Sequence, residues 1–276
     1  MVQSGLHCCK VSVRYCFAVF HTCLAQAKDF LLSPHNFRQA NFVPPPLQQI
    51  PFLAETHYVI TMDLRGHGKS DAPKDVPYTP QELAKDAAAL LRHLKFEKDV
   101  IVMGHSMGGV TTSALAVQEP DLVKAIILVD PPYWAPDALC DQIMGWANAS
   151  PDIYTWLAEF GKLYHAPTVP TWMTTWYGRR AEGTADHVIR EALGGLYNKG
   201  NLGRGDVHLA FIEGKRKCPR LAVYAKAEDA EKERALGMGP LDEVGTIEGM
   251  GHWIMQMKSE DFNQTLGSWL ERLEKS

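Results

Sequence analysis

Three residue types that can act together as a proton relay occur in this chain in the order serine, carboxylate, histidine. Ser106 lies between Gly104 and Gly108 in the pattern G-x-S-x-G, with His105 and Met107 at the variable positions. His252 follows Gly249-Met250-Gly251. A serine hydroxyl is a weak nucleophile at neutral pH. It needs a base within hydrogen-bond reach, and the base needs an acid to fix its tautomer and stabilise its charge. Glu228 and Asp229 follow an apolar run at 219–225, and Asp130 follows another at 125–129. The chemistry open to such a set is attack of Ser106 on a carbonyl carbon, with His252 as general base.

Strands and helices must bring these residues together. The stretch 100–103 (VIVM) reads as a buried strand and 110–119 as a helix, so Ser106 falls on a sharp turn between them. Such a turn strains the serine backbone and tolerates only glycine neighbours. The Met107 N–H, opening the helix, then points where an oxyanion would form. Upstream, 58–62 (YVITM) is another apolar strand, closing on Asp63-Leu64-Arg65-Gly66-His67-Gly68-Lys69-Ser70. Thr79-Pro80-Gln81-Glu82 is a helix start, with a capping threonine, a proline suited to the first turn and a reciprocal glutamate. Leu83, Ala87, Leu90, Leu91 and Leu94 then form one apolar stripe. Strands are predicted at 125–129, 219–225 and 244–247. A final helix capped by Ser259 repeats the stripe with Phe262, Leu266, Trp269, Leu270 and Leu273. Alternating helices and continuous apolar strands predict an α/β fold with a mostly parallel sheet covered on both faces. Every candidate for chemistry follows a strand, so all would meet at one sheet edge.

The alternation breaks between residues 133 and 217. No strand is evident there, and five of the seven tryptophans fall in it: Trp134, Trp146, Trp156, Trp172 and Trp176. This segment is expected to be a helical cap over a core formed by 49–132 and 218–276. Most of the aromatics would fill the cap's own core, and some would line an apolar substrate pocket. Trp134 and Trp253 are the expected substrate-contacting tryptophans. Residues 1–48 are atypical and end near Pro44-Pro45-Pro46, a stiff extended break. They are expected either to be poorly ordered or to supply one strand.

Composition narrows the partners. A chain of 276 residues, 46% hydrophobic, can bury a large core. A formal net charge of -4 gives no basic face for nucleic acid. No run of 18 apolar residues marks a membrane span. Lys10 and Arg14 precede a mostly apolar stretch ending at Ala25-Gln26-Ala27, which resembles a short secretory leader. His21 and Thr22 interrupt it, and a cytoplasmic location is the reading adopted. The six cysteines include no C-x-x-C pair, so reduced thiols are expected and no metal site is implied. The expected partner is a small-molecule substrate, with no cofactor, and oligomeric state is not legible.

Four stretches, YVITMDLRGHGKS (58–70), GHSMGG (104–109), RLAVYAKAED (220–229) and EGMGHWIMQ (248–256), together resemble the α/β-hydrolase superfamily. The resemblance implies an α/β-hydrolase fold with a helical cap, Ser106 as nucleophile and His252 as general base. Family register, counted nine residues from Pro219, favours Glu228 as the acid, with Asp229 beside it. Asp130, where some members place the acid, is read as a turn or helix-cap residue before two prolines. Arg65 and His67 match a family turn and would brace it. The family's HG-x-P loop, which donates a second oxyanion N–H, has no counterpart before His67-Gly68. The stretch 17–22 (FAVFHT) is a candidate for a degraded version.

The resemblance implies a serine hydrolase acting on an ester, thioester or lactone of a small apolar molecule through an acyl-enzyme. The same triad supports C–C bond hydrolysis of a diketone-like substrate. A catalytically impaired binding protein is the alternative from another class, since losing one oxyanion donor slows turnover by ~10²–10³.

Overall fold

The computed structural model describes residues 48–163 and 167–276 and the backbone of one strand, Cys16–His21. Among the described residues six strands form one parallel sheet: β1 Cys16–His21, β2 Tyr58–Asp63, β3 Val100–His105, β4 Val123–Val129, β5 Arg220–Tyr224 and β6 Glu243–Thr246. Their spatial order is β2-β1-β3-β4-β5-β6. β1 therefore lies inside the sheet, with Ala18 opposite Ile60 on one side and Val102 on the other. Of the two expectations for the N-terminal segment, the supply of one strand is what residues 16–21 do. The rest of 1–47 lies outside the described residues.

Side chains alternate across a strand, so each apolar run feeds both faces of the sheet. Val100, Val102, Ile126 and Leu128 pack on the face covered by α2 Pro80–His93 and α3 Met107–Gln118. Ile101, Met103, Ile127 and Val129 pack on the other face, against α1 Gln49–Ala54 and the C-terminal helix. α2 begins as its sequence predicts: the Thr79 hydroxyl accepts from the Glu82 N–H at 3.4 Å, and Pro80 is the first helical residue.

Among the described residues, five helices fill the excursion between β4 and β5: α4 Asp137–Ala149, α5 Ile153–Lys162, α6 Thr171–Glu182, α7 Asp186–Tyr197 and α8 Gly205–Ile212. Buried Arg204 fastens the start of the excursion to its end through Asp137 at 2.9 Å and Asp141 at 2.5 Å. Trp156 is buried and stacks on Phe160, while Trp146 and Trp172 are exposed.

After β5 come α9 Ala227–Arg234, α10 Ile254–Met257 and α11 Ser259–Glu274. The predicted stripe of α11 is buried throughout, from Phe262 to Leu273. Each such side chain contributes about 1.5–3 kcal/mol by leaving water. Ser259 is the first residue of α11 rather than its cap, and no side-chain cap bond forms there.

Candidate active site

The β3–α3 turn carries Ser106 at φ 55° and ψ -128°. A positive φ is strained for a residue with a side chain, and surrounding contacts must hold it. The glycines explain how the chain closes so tightly. A Cβ on Gly104 would lie 2.1 Å from the Gly108 carbonyl oxygen, and one on Gly109 would lie 2.9 Å from Pro131 Cβ. Ser106 N–H donates to the Val129 carbonyl at 3.0 Å, tying the turn to the end of β4. Met107 is the first residue of α3, so its N–H has no acceptor within the helix. That leaves it as an anion-binding donor beside the Ser106 side chain.

Asp130 and His252 meet at this same edge. The His252 Nδ1–H donates to Asp130 Oδ2 at 2.6 Å, and both side chains are largely buried. The bond fixes the tautomer and leaves Nε2 as the basic nitrogen. Asp130 has φ 44°, a left-handed conformation that Asp tolerates better than most residues. Its second oxygen, Oδ1, accepts from the Ala225 N–H at 3.0 Å, so the carboxylate is clamped between β5 and the histidine loop.

This corrects the register-based choice of acid. Chain termini of β5 and α9 are separated by only two residues, so Glu228 and Asp229 fall in the first turn of α9. There they face the macrodipole's positive end and Lys232, not the histidine. Glu228 is 2.7 Å and Asp229 3.2 Å from Lys232 Nζ. The Lys232 ammonium holds the Glu228 carboxyl below its usual value. Asp130, read from sequence as a turn residue, is the carboxylate that reaches the ring.

His105 is a positioning residue that the sequence pattern did not single out. Its Nε2–H donates to the His252 carbonyl at 2.8 Å, and the two rings lie 4.4 Å apart. The residue before the serine thus holds the backbone that carries the His252 ring. Trp253 extends the stack: its ring is 5.0 Å from His105 and 3.9 Å from Tyr177 of α6.

A cavity of about 190 Å³ opens at this edge. Ser106, Met107, His252 and Trp253 line its floor, and Leu157, Phe160, Ile189, Leu193 and Leu196 from the five-helix excursion line the opposite wall. No Lys, Arg, Asp or Glu lines it among the described residues. Trp253 lines this cavity. Trp134 does not: its Nε1–H donates to the Tyr224 hydroxyl at 3.2 Å, away from the cavity. None of the five tryptophans of the excursion lines the cavity; its apolar wall is mostly aliphatic.

Trp134 belongs to a buried polar cluster beneath Asp130. Glu233 accepts from the Tyr133 hydroxyl at 2.5 Å and the Tyr224 hydroxyl at 2.8 Å, and it pairs with Arg216 at 2.5 Å and Arg220 at 2.8 Å. Burial pushes both tyrosine hydroxyls well above their ordinary value, so they act only as neutral donors and acceptors. A second serine–histidine contact lies in this layer: Ser113 Oγ is 3.3 Å from His208 Nε2. Both residues are fully buried and neither lines the cavity, so this pair is part of the core.

Arg65 braces its turn as expected, through a two-pronged contact with Asp86 of α2 at 2.8 and 2.6 Å. Among the described residues no group of three or more His, Cys, Asp or Glu could hold a metal ion, and no helix is long and apolar enough to cross a membrane.

Comparison with known proteins agrees with this fold. Residues 19–187 match the family described as the alpha/beta hydrolase fold. The chain is similar to the uncharacterized hydrolase YugF of Bacillus subtilis, at 35% identity over 36% of this chain and 33% of that protein. It is also similar to a putative esterase/lipase of Haemophilus influenzae, at 39% identity over 28% of this chain and 26% of that protein. These alignments thus span a third or less of the relatives' lengths. A longer alignment, 81% of this chain and 84% of the relative, joins it at 25% identity to the (E)-2-((N-methylformamido)methylene)succinate hydrolase of Acinetobacter baylyi. Among solved structures, the bromoperoxidase from Bacillus anthracis superposes with a TM-score of 0.70 at 19% identity, covering 93% of this chain and 92% of that one. At that identity the likeness is one of fold.

Proposed function

The chain belongs to the alpha/beta hydrolase fold family, and from that premise we propose that it is a serine hydrolase of small, uncharged carboxylic esters. The observation that carries this reading is the Asp130–His252 pair at 2.6 Å, on the cavity that also contains Ser106. Ser106 Oγ attacks the ester carbonyl carbon, and its proton passes to His252 Nε2. The tetrahedral oxyanion is met by the Met107 N–H. Collapse breaks the bond to the alcohol oxygen, which takes the proton from Nε2 and leaves. A water then attacks the acyl-enzyme by the same route, releasing the acid and restoring Ser106.

The cavity supports the substrate class. Its walls are apolar, and no cation among the described residues faces it to meet a carboxylate on the substrate. A volume of about 190 Å³ suits a short acyl chain or a compact ring. The five-helix excursion acts as the cap that encloses it. Thioesters and lactones of similar size fit the same chemistry. The sequence candidate for a second oxyanion donor, 17–22, runs past the end of β1 into residues outside those described.

The test is labelling with an alkyl fluorophosphonate, together with an ester panel of graded acyl length. Wild type should be labelled and should turn over short uncharged esters, and Ser106→Ala should lose both. Folded wild-type protein that takes up no probe and hydrolyses no ester would instead support a binding protein.

A further inference from the structure

His67 is buried at 5% exposure, yet its ring lines the cavity beside Ser106 and His252. Its Nδ1 lies 2.9 Å from the Arg65 carbonyl oxygen. A carbonyl only accepts, so Nδ1 carries the hydrogen and Nε2 carries a lone pair. No hydrogen bond to a described residue engages Nε2. Burial, with help from the nearby Arg180 guanidinium, lowers the affinity of this imidazole for a second proton. The ring therefore meets the cavity as a neutral acceptor, held rigidly by its own turn. The wall around it is mostly aliphatic, and Thr184, a polar residue of that wall, donates its hydroxyl to the Arg180 carbonyl at 3.4 Å.

An acceptor fixed in an apolar cavity is costly to desolvate unless the ligand supplies a donor. We propose that His67 Nε2 accepts a hydrogen bond from a hydroxyl or amide N–H of the substrate, which makes His67 a specificity-determining residue. This rests on the ester-hydrolase reading and narrows it. The preferred substrates are small uncharged esters that carry one donor within a few atoms of the scissile carbonyl, such as hydroxy esters, N-acylamino esters or partial esters of a polyol. The same ring also helps to brace the turn through its bond to the Arg65 carbonyl, while the Arg65 guanidinium reaches Asp86.

The experiment compares kcat/KM for matched pairs: ethyl 3-hydroxybutanoate against ethyl butanoate, N-acetylglycine ethyl ester against ethyl pentanoate, and glycerol monobutanoate against propyl butanoate. In wild type at least one donor-bearing member should exceed its plain partner by about tenfold, the scale of one neutral hydrogen bond. His67→Phe, which keeps the ring and removes the acceptor, should bring that ratio to about one. His67→Gln, which restores a carbonyl acceptor, should retain part of it. A purely structural role would lower both members equally and leave the ratio unchanged, and that result overturns the proposal. So does a wild type that hydrolyses these esters with no preference in any pair. Fluorophosphonate labelling of the same samples separates the two readings: labelled protein without preference sinks only the role of His67, whereas folded but unlabelled and inactive protein sinks the hydrolase reading beneath it.

Discussion

The Asp130 carboxylate and the His252 imidazole, 122 residues apart in the chain, meet at 2.6 Å. Ala225 N–H holds the other oxygen of the carboxylate, so its direction is set before any substrate arrives. Asp130→Asn should therefore keep the fold but permit the wrong imidazole tautomer, with a loss in kcat of about 10⁴, as an amide in this role causes elsewhere. Glu228→Gln and Asp229→Asn should stay within about twofold of wild type, since surface ion pairs of this kind contribute little. Steady-state rates on one short ester decide between the two assignments. A full loss of activity in Glu228→Gln with an active Asp130→Asn would reverse our choice.

His105 acts one step removed from the chemistry. Its bond to the His252 carbonyl sets where the loop bearing that imidazole sits. His105→Phe keeps the ring contact with Trp253 but loses the donor. We expect kcat to fall about 10- to 100-fold, the scale of a small misplacement of a catalytic group, with little change in KM. A change confined to KM would mean that the ring serves binding instead.

Glu233 is fully buried between two arginines and two tyrosines. Glu233→Gln would leave Arg216 and Arg220 without their shared anion. Removing one partner of a buried ion pair typically costs about 3–5 kcal/mol, and urea unfolding should register a loss of that order. A change below 1 kcal/mol would show that water or Asp242 compensates.

Three buried histidines give the stability a defined dependence on pH. Burial is the main cause that holds His57, His67 and His208 below the ordinary imidazole value; Glu274 opposes it at His57, Arg180 adds to it at His67, and Arg216 adds to it at His208. Between their folded values and about pH 6.5 the unfolded chain binds more protons than the native one, so stability rises with pH there. The contribution is complete above that range and lost as pH falls through the folded values. Urea midpoints should drop from pH 7.5 to pH 5, and His208→Leu should make that slope shallower. Equal midpoints across the range would contradict the assignment of these rings as neutral in the fold.

Much of the site was legible because glycines announce it. Gly104, Gly108 and Gly251 mark the two loops that carry Ser106 and His252, and the apolar runs before them place both at strand ends. The carboxylate that bonds His252 was not legible by the same signal, because Asp130 and Glu228 each follow a strand. What separates them is the left-handed φ at Asp130 and the immediate start of α9 after β5, and neither leaves a mark in local composition. The cavity wall was harder still. Tryptophan count suggested an aromatic lining, but the residues that face Ser106 are set by how α5 and α7 dock, and their inward positions are mostly aliphatic. Trp134 was drawn away by a partner, Tyr224, that lies 90 residues further along the chain.

The interior place of β1 has a bearing on how the chain can be processed. Neighbouring strands lie about 4.8 Å apart, so a sheet stripped of β1 would leave β2 and β3 facing one another across a gap of roughly twice that spacing. Two rows of amide and carbonyl groups would then be without ladder partners, the condition that invites pairing with foreign strands. A peptidase cutting at Ala25-Gln26-Ala27 would carry away Cys16–His21 with the leader-like stretch. Within the stretch that most resembles a disposable export tag, Cys16–His21 thus form an interior rib of the sheet, and their excision would open it next to Ser106.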